Sequence, residues 1–203
     1  MTTTLLLVRH GQTAWNRDER FRGRADVPLD ETGLAQAEAT ARRVAAGWAP
    51  AAVYVSPLSR AVQTGAAIAR LCGVVVQPRD DLLDIDYGAW QGLTADEARV
   101  RWPEAVAAWY SNPGLANIPG GEHLGAVRDR GLNAVTHIAE THEDQTVVVV
   151  GHTVINRAIL IGMLKLGLDR FWRLRQDTCA LNIVEWELRD FTVVTLNDTC
   201  HLR

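Results

Sequence analysis

Three observations on this chain of 203 residues predict an α/β fold, a mostly parallel mixed sheet with helices on both faces. Short apolar, β-branched runs alternate with longer segments whose apolar residues recur at helical spacing. A strand followed by a helix, repeated, gives a parallel sheet covered on both sides, because each crossover lays its helix on one face. The C-terminal part instead carries two strand patterns around Arg189-Asp190, which read as a hairpin appended to that sheet.

The first strand is Thr4 to Val8, an unbroken apolar run of the kind shown by strands buried on both faces. Glu31 to Gly47, rich in alanine, reads as a helix. Val53 to Ser56 is the second strand and Pro57 to Cys72 the helix after it. Val74 to Gln77 is the third strand. Glu122 to Thr141 forms a helix, Thr146 to Gly151 the fourth strand, and Val154 to Leu166 the helix that follows. Leu181 to Glu187 and Phe191 to Leu196 make the hairpin. No repeat or linker-like tract divides the chain, so one domain over residues 1–203 is expected, long enough to bury a substantial core. The stretch from Asp80 to Gly121 differs, with Trp90, Trp102, Trp109, Pro103, Pro113 and Pro119 in short helical pieces. A cap-like insertion over the sheet's carboxyl edge, covering a ligand site, has this composition. So has a loop packed down by its tryptophans for stability.

A net charge of −3 offers no general positive field for nucleic acid or an anionic membrane. Cys72, Cys179 and Cys200 are odd in number and lack zinc-type spacing, so a reducing cytoplasm is the expected setting. Met1 to Val8 is too short for a signal peptide, and no stretch approaches the roughly 18 apolar residues of a membrane span. The 21 basic residues are arginines except for Lys165. Arginine forks suit phosphate and carboxylate oxygens. A compositional bias toward arginine and alanine accounts for most of them equally well, so only arginines placed by a motif carry weight.

Ligands of open α/β sheets bind beyond the carboxyl ends of the strands. The first strand ends in Arg9-His10-Gly11. The second leads through Ser56-Pro57 to Arg60, and the fourth ends in Gly151-His152-Thr153 with a helix directly after. Two histidines and two arginines thus converge on one edge beside helix N-termini, whose free amides favour an anion. The combination points to a pocket for a phosphoryl group.

In order along the chain, "LLLVRHGQTAWN", "FRGRADVPLDETGLAQA", "SPLSRAVQTG" and "VVGHTVINRAIL" resemble the signature of the histidine phosphatase superfamily, in the branch of cofactor-dependent phosphoglycerate mutases and related phosphatases. The resemblance runs from about Leu5 to Leu160. It implies a three-layer α/β/α sandwich of phosphoglycerate mutase-like fold, a phosphohistidine intermediate, and neither metal nor other cofactor. His10 matches the nucleophile. Arg9, Arg60 and His152 match the residues around the phosphoryl oxygens, with His152 expected to be protonated. Gly11 is expected to leave room for the incoming phosphate. Asn16 matches a phosphate-contacting position and equally a turn cap. Gln12 and Thr13 are expected to shape the loop, and Thr153 adjoins His152. His137, His142 and His201 carry no motif.

The family's proton donor is a glutamate in a stretch that here reads "LLDIDYGAWQG". Alignment on Tyr87-Gly88 places Asp84 there, one methylene shorter, with Asp86 as the alternative acid. Arg20, Phe21, Arg22, Gly23 and Arg24 form a loop expected at the mouth of the site. Arg22 or Arg24 could there hold a second anionic group or simply be solvated. Pro119-Gly120-Gly121-Glu122 lies near the same opening, with His123 where the family's serine is usual. The expected substrate is a small phosphate ester. The expected activity is phosphomonoester hydrolysis; a phosphoglycerate mutase and a phosphate-binding module with little catalysis are the alternatives. The chain lacks the lysine that the resembled mutases carry after "Y-G", and its tryptophan variant is the phosphatase pattern. Oligomeric state stays open, a homodimer through the tryptophan-rich insertion or the hairpin being one form.

Overall fold

The computed structural model describes residues 1–203. Its strands are β1 (Thr3–Arg9), β2 (Pro50–Val55), β3 (Val76–Pro78), β4 (Thr146–Gly151), β5 (Leu181–Glu187) and β6 (Asp190–Asp198). They form one sheet in the order β3-β2-β4-β1-β5-β6. The first four in that order are parallel, and β5 runs antiparallel to both β1 and β6.

Side chains alternate along each strand, and the two faces separate accordingly. Leu6 and Val8 of β1 and Val148 and Val150 of β4 pack with α2 (Glu31–Gly47) and α3 (Ser59–Cys72), through Ala37, Val44, Ala61 and Ile68. Leu5, Leu7, Val147 and Val149 point the other way. They meet α6 (Leu124–Thr141) and α7 (Thr153–Met163) through Val127, Ile138, Ile155 and Ile159. Helices therefore cover both faces, as the alternation of patterns predicts.

Boundaries shift for local reasons. The third strand starts at Val76 rather than Val74 because the Val74 amide bonds to the Ala69 carbonyl and finishes the exit from α3. Helix α3 starts at Ser59 rather than Pro57, where Asp26 accepts from both the amide and the hydroxyl of Ser59. Helix α7 starts one residue early, at Thr153, and stops at Met163, with Lys165 beyond it in the left-handed region at φ 55°. A short helix absent from the sequence reading, α1 (Ala14–Arg17), is held by a reciprocal cap between Thr13 and Asn16.

The stretch from Asp80 to Gly121 contains α4 (Ala95–Arg101), α5 (Pro103–Ser111) and three short 3-10 turns. Its tryptophans do not behave alike. Trp90 and Trp109 are fully buried and join Tyr87 and Phe171 in the core on the α6/α7 side, while Trp102 packs against that core only in part. No helix of the molecule is long and apolar enough to cross a membrane.

Gly65 lets α3 lie close on the sheet: a Cβ there would sit 2.3 Å from Val55 Cγ1. Gly65→Leu is expected to cost about 1–3 kcal/mol or more through overpacking. Thermal melts check this; a Tm equal to wild type would contradict the close packing.

Candidate active site

The register between β1 and β4 builds the site. Arg9 lies opposite Gly151, so the two strands end side by side and the His10 amide donates to the Gly151 carbonyl at 3.0 Å. The rings of His10 and His152 consequently meet edge to face, with centroids 5.1 Å apart. Arg60 enters from the first turn of α3, and its Nε donates to His152 Nδ1 at 3.1 Å. Its two remaining nitrogens donate to the Ala25 and Gly23 carbonyls at 2.7 Å, which fixes the guanidinium plane.

The tautomers follow from these partners. A carbonyl only accepts, so the 2.6 Å contact from His10 Nδ1 to the Gly11 carbonyl places the proton on Nδ1 and leaves the Nε2 lone pair free. An arginine only donates, so His152 Nδ1 is unprotonated and its Nε2 bears the hydrogen. Burial, and then the surrounding cations, hold both imidazoles well below the usual histidine range. His152 is thus neutral in the free site; the expectation that it works protonated concerns the phosphate-bound site.

Burial also pushes the Arg9 guanidinium down to about 9 and that of Arg60 to about 10, so both stay charged at neutral pH. Arg9 donates to the Gln176 carbonyl at 2.6 Å. Three polar atoms grouped about the two strand tips are buried without a protein partner: Arg9 Nε, His152 Nε2 and Thr153 Oγ1. Buried donors left unpaired are costly. His152 is the N-cap of α7 and Thr153 its first residue, and the free amides of a helix N-terminus favour a negative charge.

Next to them lies a cavity of about 400 Å³, lined among others by Arg9, Asn16, Arg22, Asp84, Thr153 and Arg157. His10, Arg60 and His152 are buried and sit behind that lining. Asp84 is 3% exposed, and the Ile155 amide in the first turn of α7 donates to its carboxyl at 3.3 Å. Burial raises Asp84 above the usual carboxylate range, against the pull of Arg60 and Arg22. Asp86 faces elsewhere, accepting from the Gly88 amide at 2.8 Å and lying 3.6 Å from Arg24. Of the two aspartates, Asp84 lines the cavity and Asp86 does not.

The other expected residues divide. Arg22 and Asn16 line the cavity; Asn16 also accepts from the Thr13 amide and hydroxyl, which is the capping role expected as its alternative. Thr13 is buried as the cap of α1, and Gln12 donates to Asp30 at 3.1 Å, so both shape the loop and neither lines the cavity. Gly23 contributes its carbonyl to Arg60 rather than lining the cavity. Gly11 has a packing constraint of its own, besides the room expected for phosphate. A Cβ on Gly11 would strike the Gly33 carbonyl at 2.5 Å, so glycine is required by the close approach of α2. Arg24 turns outward to Asp86 and Glu122, and His123 caps α6 by accepting from the Gly125 amide.

Several cavity residues carry no signal in the sequence reading. Arg175, Gln176 and Asp177 come from the segment before β5, which matches no motif. Arg157 lies inside the quoted "VVGHTVINRAIL", four residues after Thr153 and so on the same face of α7. Helical spacing from Thr153 would have found it. Nowhere do three or more His, Cys, Asp or Glu residues lie together as a metal site would need.

A family model described as the histidine phosphatase superfamily, branch 1, matches residues 5–199. Phosphoserine phosphatase 1 of Hydrogenobacter thermophilus is 34% identical over 198 residues, covering 98% of this chain and 93% of that protein. The metal-independent phosphoserine phosphatase of Arabidopsis thaliana is 39% identical over 204 residues, covering 98% of this chain and 83% of that one. The solved structure of Bacillus stearothermophilus YhfR superposes with a TM-score of 0.94 at 32% identity, over 99% of this chain and 100% of the other.

The depressed histidines predict a stability profile. The unfolded chain takes up protons as pH falls through about 6.5, whereas the folded site refuses them, so His10 and His152 cause stability to be lost below that value. Asp84 acts oppositely, losing stability as pH rises from about 3.9 through its raised folded value. Melts of wild type and a His10→Asn/His152→Asn variant between pH 8 and 5, both about these values, test the histidine contribution. The variant should lose less Tm on acidification; equal losses would contradict the buried neutral pair.

Proposed function

The chain belongs to the histidine phosphatase superfamily, branch 1, and from that premise we propose that it hydrolyses a small phosphomonoester through a phosphohistidine on His10. The observation that carries this reading is the set of unpaired donors, Arg9 Nε, His152 Nε2 and Thr153 Oγ1, around a histidine whose Nε2 is free. A phosphoryl group would satisfy all three at once.

The chemistry follows from the residues. The His10 Nε2 lone pair attacks phosphorus as the ester P–O bond breaks. Arg9, Arg60 and His152 donate to the equatorial oxygens, where charge is held in the transition state. Asp84, whose pKa burial raises, passes its proton to the leaving alkoxide, which departs as the alcohol. The resulting carboxylate then takes a proton from water as the water oxygen attacks phosphorus and the P–N bond breaks. Inorganic phosphate leaves, and His10 and Asp84 return to their starting states.

No step needs a metal, and the relative named as a metal-independent phosphoserine phosphatase supports that chemistry. That name and phosphoserine phosphatase 1 also place phosphorylated small metabolites first among candidate substrates. A cytoplasmic setting is part of the same proposal. The phosphatase names of two relatives and the absence of the mutase lysine favour water over a second hydroxyl as acceptor.

Phosphate release from 4-nitrophenyl phosphate and from alkyl phosphates, in excess EDTA, tests the reading. Release is expected in wild type and none above background in His10→Ala. Asp84→Asn should lower kcat on alkyl esters by about 10²–10⁴-fold and much less on the aryl ester, whose leaving group needs no proton. Equal losses on both esters would remove Asp84 from the acid role; activity in His10→Ala would remove the phosphohistidine.

A further inference from the structure

The segment that precedes β5 is tied to the tip of β1 by a network of amide side chains. Gln176, 3% exposed, and Asn182, fully buried, form a reciprocal pair: Gln176 Nε2 donates to Asn182 Oδ1 at 2.7 Å, and Asn182 Nδ2 donates to Gln176 Oε1 at 2.9 Å. Asn182 Nδ2 donates as well to the Leu7 carbonyl at 3.0 Å, and its Oδ1 accepts from the Asn197 amide at 2.9 Å. Both hydrogens and both lone pairs of that side chain are thus used. Beside it, the Asp177 amide donates to Asn197 Oδ1 at 2.7 Å, and Asn197 Nδ2 donates back to the Asp177 carboxylate at 2.9 Å. The Cys179 amide closes the segment onto the Arg9 carbonyl at 3.0 Å.

What the network holds in place is the Gln176 carbonyl, which accepts from Arg9 Nη1 at 2.6 Å. Arg60 is fixed at all three of its nitrogens, by His152 and by the Ala25 and Gly23 carbonyls. Arg9 has the Gln176 carbonyl as its one side-chain hydrogen-bond partner, and its Nε is buried unpaired. The aim of its guanidinium therefore depends on where that carbonyl sits. Asn182 stands opposite Leu7 on β5, a strand paired on both sides, with Leu181 and Ile183 as its chain neighbours. Strand interiors disfavour asparagine, and an apolar residue would suit such surroundings. A fully satisfied polar network instead specifies one arrangement. Asn182 does not line the cavity, and the two amide hydrogens of Gln176 go to Asn182 and to the Arg175 carbonyl.

We infer that Gln176 and Asn182 are positioning residues that act through Arg9: their amide pair sets the carbonyl that aims the Arg9 guanidinium at the phosphoryl oxygens before a substrate arrives. The inference rests on the phosphatase reading and adds a source of preorganisation that lies outside its motifs. The bond-breaking residues stay those at the strand tips.

The test is a double-mutant cycle. Gln176→Leu breaks the amide pair yet keeps the backbone carbonyl that Arg9 uses, and Arg9→Gln removes the guanidinium. Two quantities are measured for wild type, both single variants and the double variant, well below their melting temperatures: kcat on 4-nitrophenyl phosphate in EDTA, and the Kd of inorganic phosphate by titration calorimetry. Gln176→Leu should lower kcat by about 10- to 100-fold, the cost of misplacing one positioned group. It should weaken phosphate about tenfold, the worth of one charge-assisted hydrogen bond. In the Arg9→Gln background the same substitution should change neither quantity, because the residue it acts through is gone. Phosphate binding carries the cycle alone if Arg9→Gln turns over too slowly to measure. Asn182→Ser should repeat the pattern, and it replaces Gln176→Leu if that variant does not fold. Losses of equal factor in both backgrounds, or no loss in either, overturn the positioning role and leave the phosphatase reading standing. No release from 4-nitrophenyl phosphate by folded wild type overturns both.

Discussion

The parallel pairing of β1 with β4 is the constraint on which the site depends. It sets Arg9 against Gly151, ends both strands at one level, and brings His10 and His152 to 5.1 Å between ring centroids. Period-2 alternation means that a slip of one residue would turn Leu6 and Val8 toward the wrong helical layer. Burial of both strand faces therefore specifies the register, and the register delivers the histidines. The same apolar packing that stabilises the sheet fixes the distance on which phosphoryl transfer would rely.

That packing also sets the electrostatics. His10, His152, Arg60 and Asp84 are all nearly sealed from solvent, so each is held in the form that its neighbours allow. The imidazoles stay neutral, one with a free lone pair and the other with an N–H to give, because burial and three nearby arginines oppose any further proton. Asp84 is raised by burial even though cations pull it down. The same desolvation favours the neutral form of the His10 imidazole and of the Asp84 carboxyl. The segment that carries Asp84 is itself anchored, for Arg130 donates to the Asp81 and Leu83 carbonyls and pairs with Glu122 at 3.0 Å.

What the sequence made legible follows the range of the forces involved. Apolar runs and helical periodicity are local, so four parallel strands, four long helices and the hairpin could be read, with ends misplaced where β2 starts at Pro50 rather than Val53 and where a cap or turn intervened, as at Val74 and Ser59. The strand-tip histidines and arginines were legible because a motif carries each of them. Arg175, Gln176 and Asp177 were not, since their place depends on the segment before β5 folding back over Arg9. The same holds for the packing constraint on Gly11, which is the backbone of Gly33 in another element. Nor was the tautomer of His152 legible, since it is fixed by a hydrogen bond from Arg60, 92 residues away.

The claim at the centre of this account is that the phosphoryl group passes to His10 Nε2. The direct measurement is rapid quenching of the enzyme with a radiolabelled phosphomonoester in base, followed by peptide mapping. The account predicts label on the peptide carrying His10, stable in base and lost in acid as a phosphoramidate is, and absent from His10→Ala. Label on the peptide carrying His152, or turnover with no labelled enzyme at any time, would contradict it.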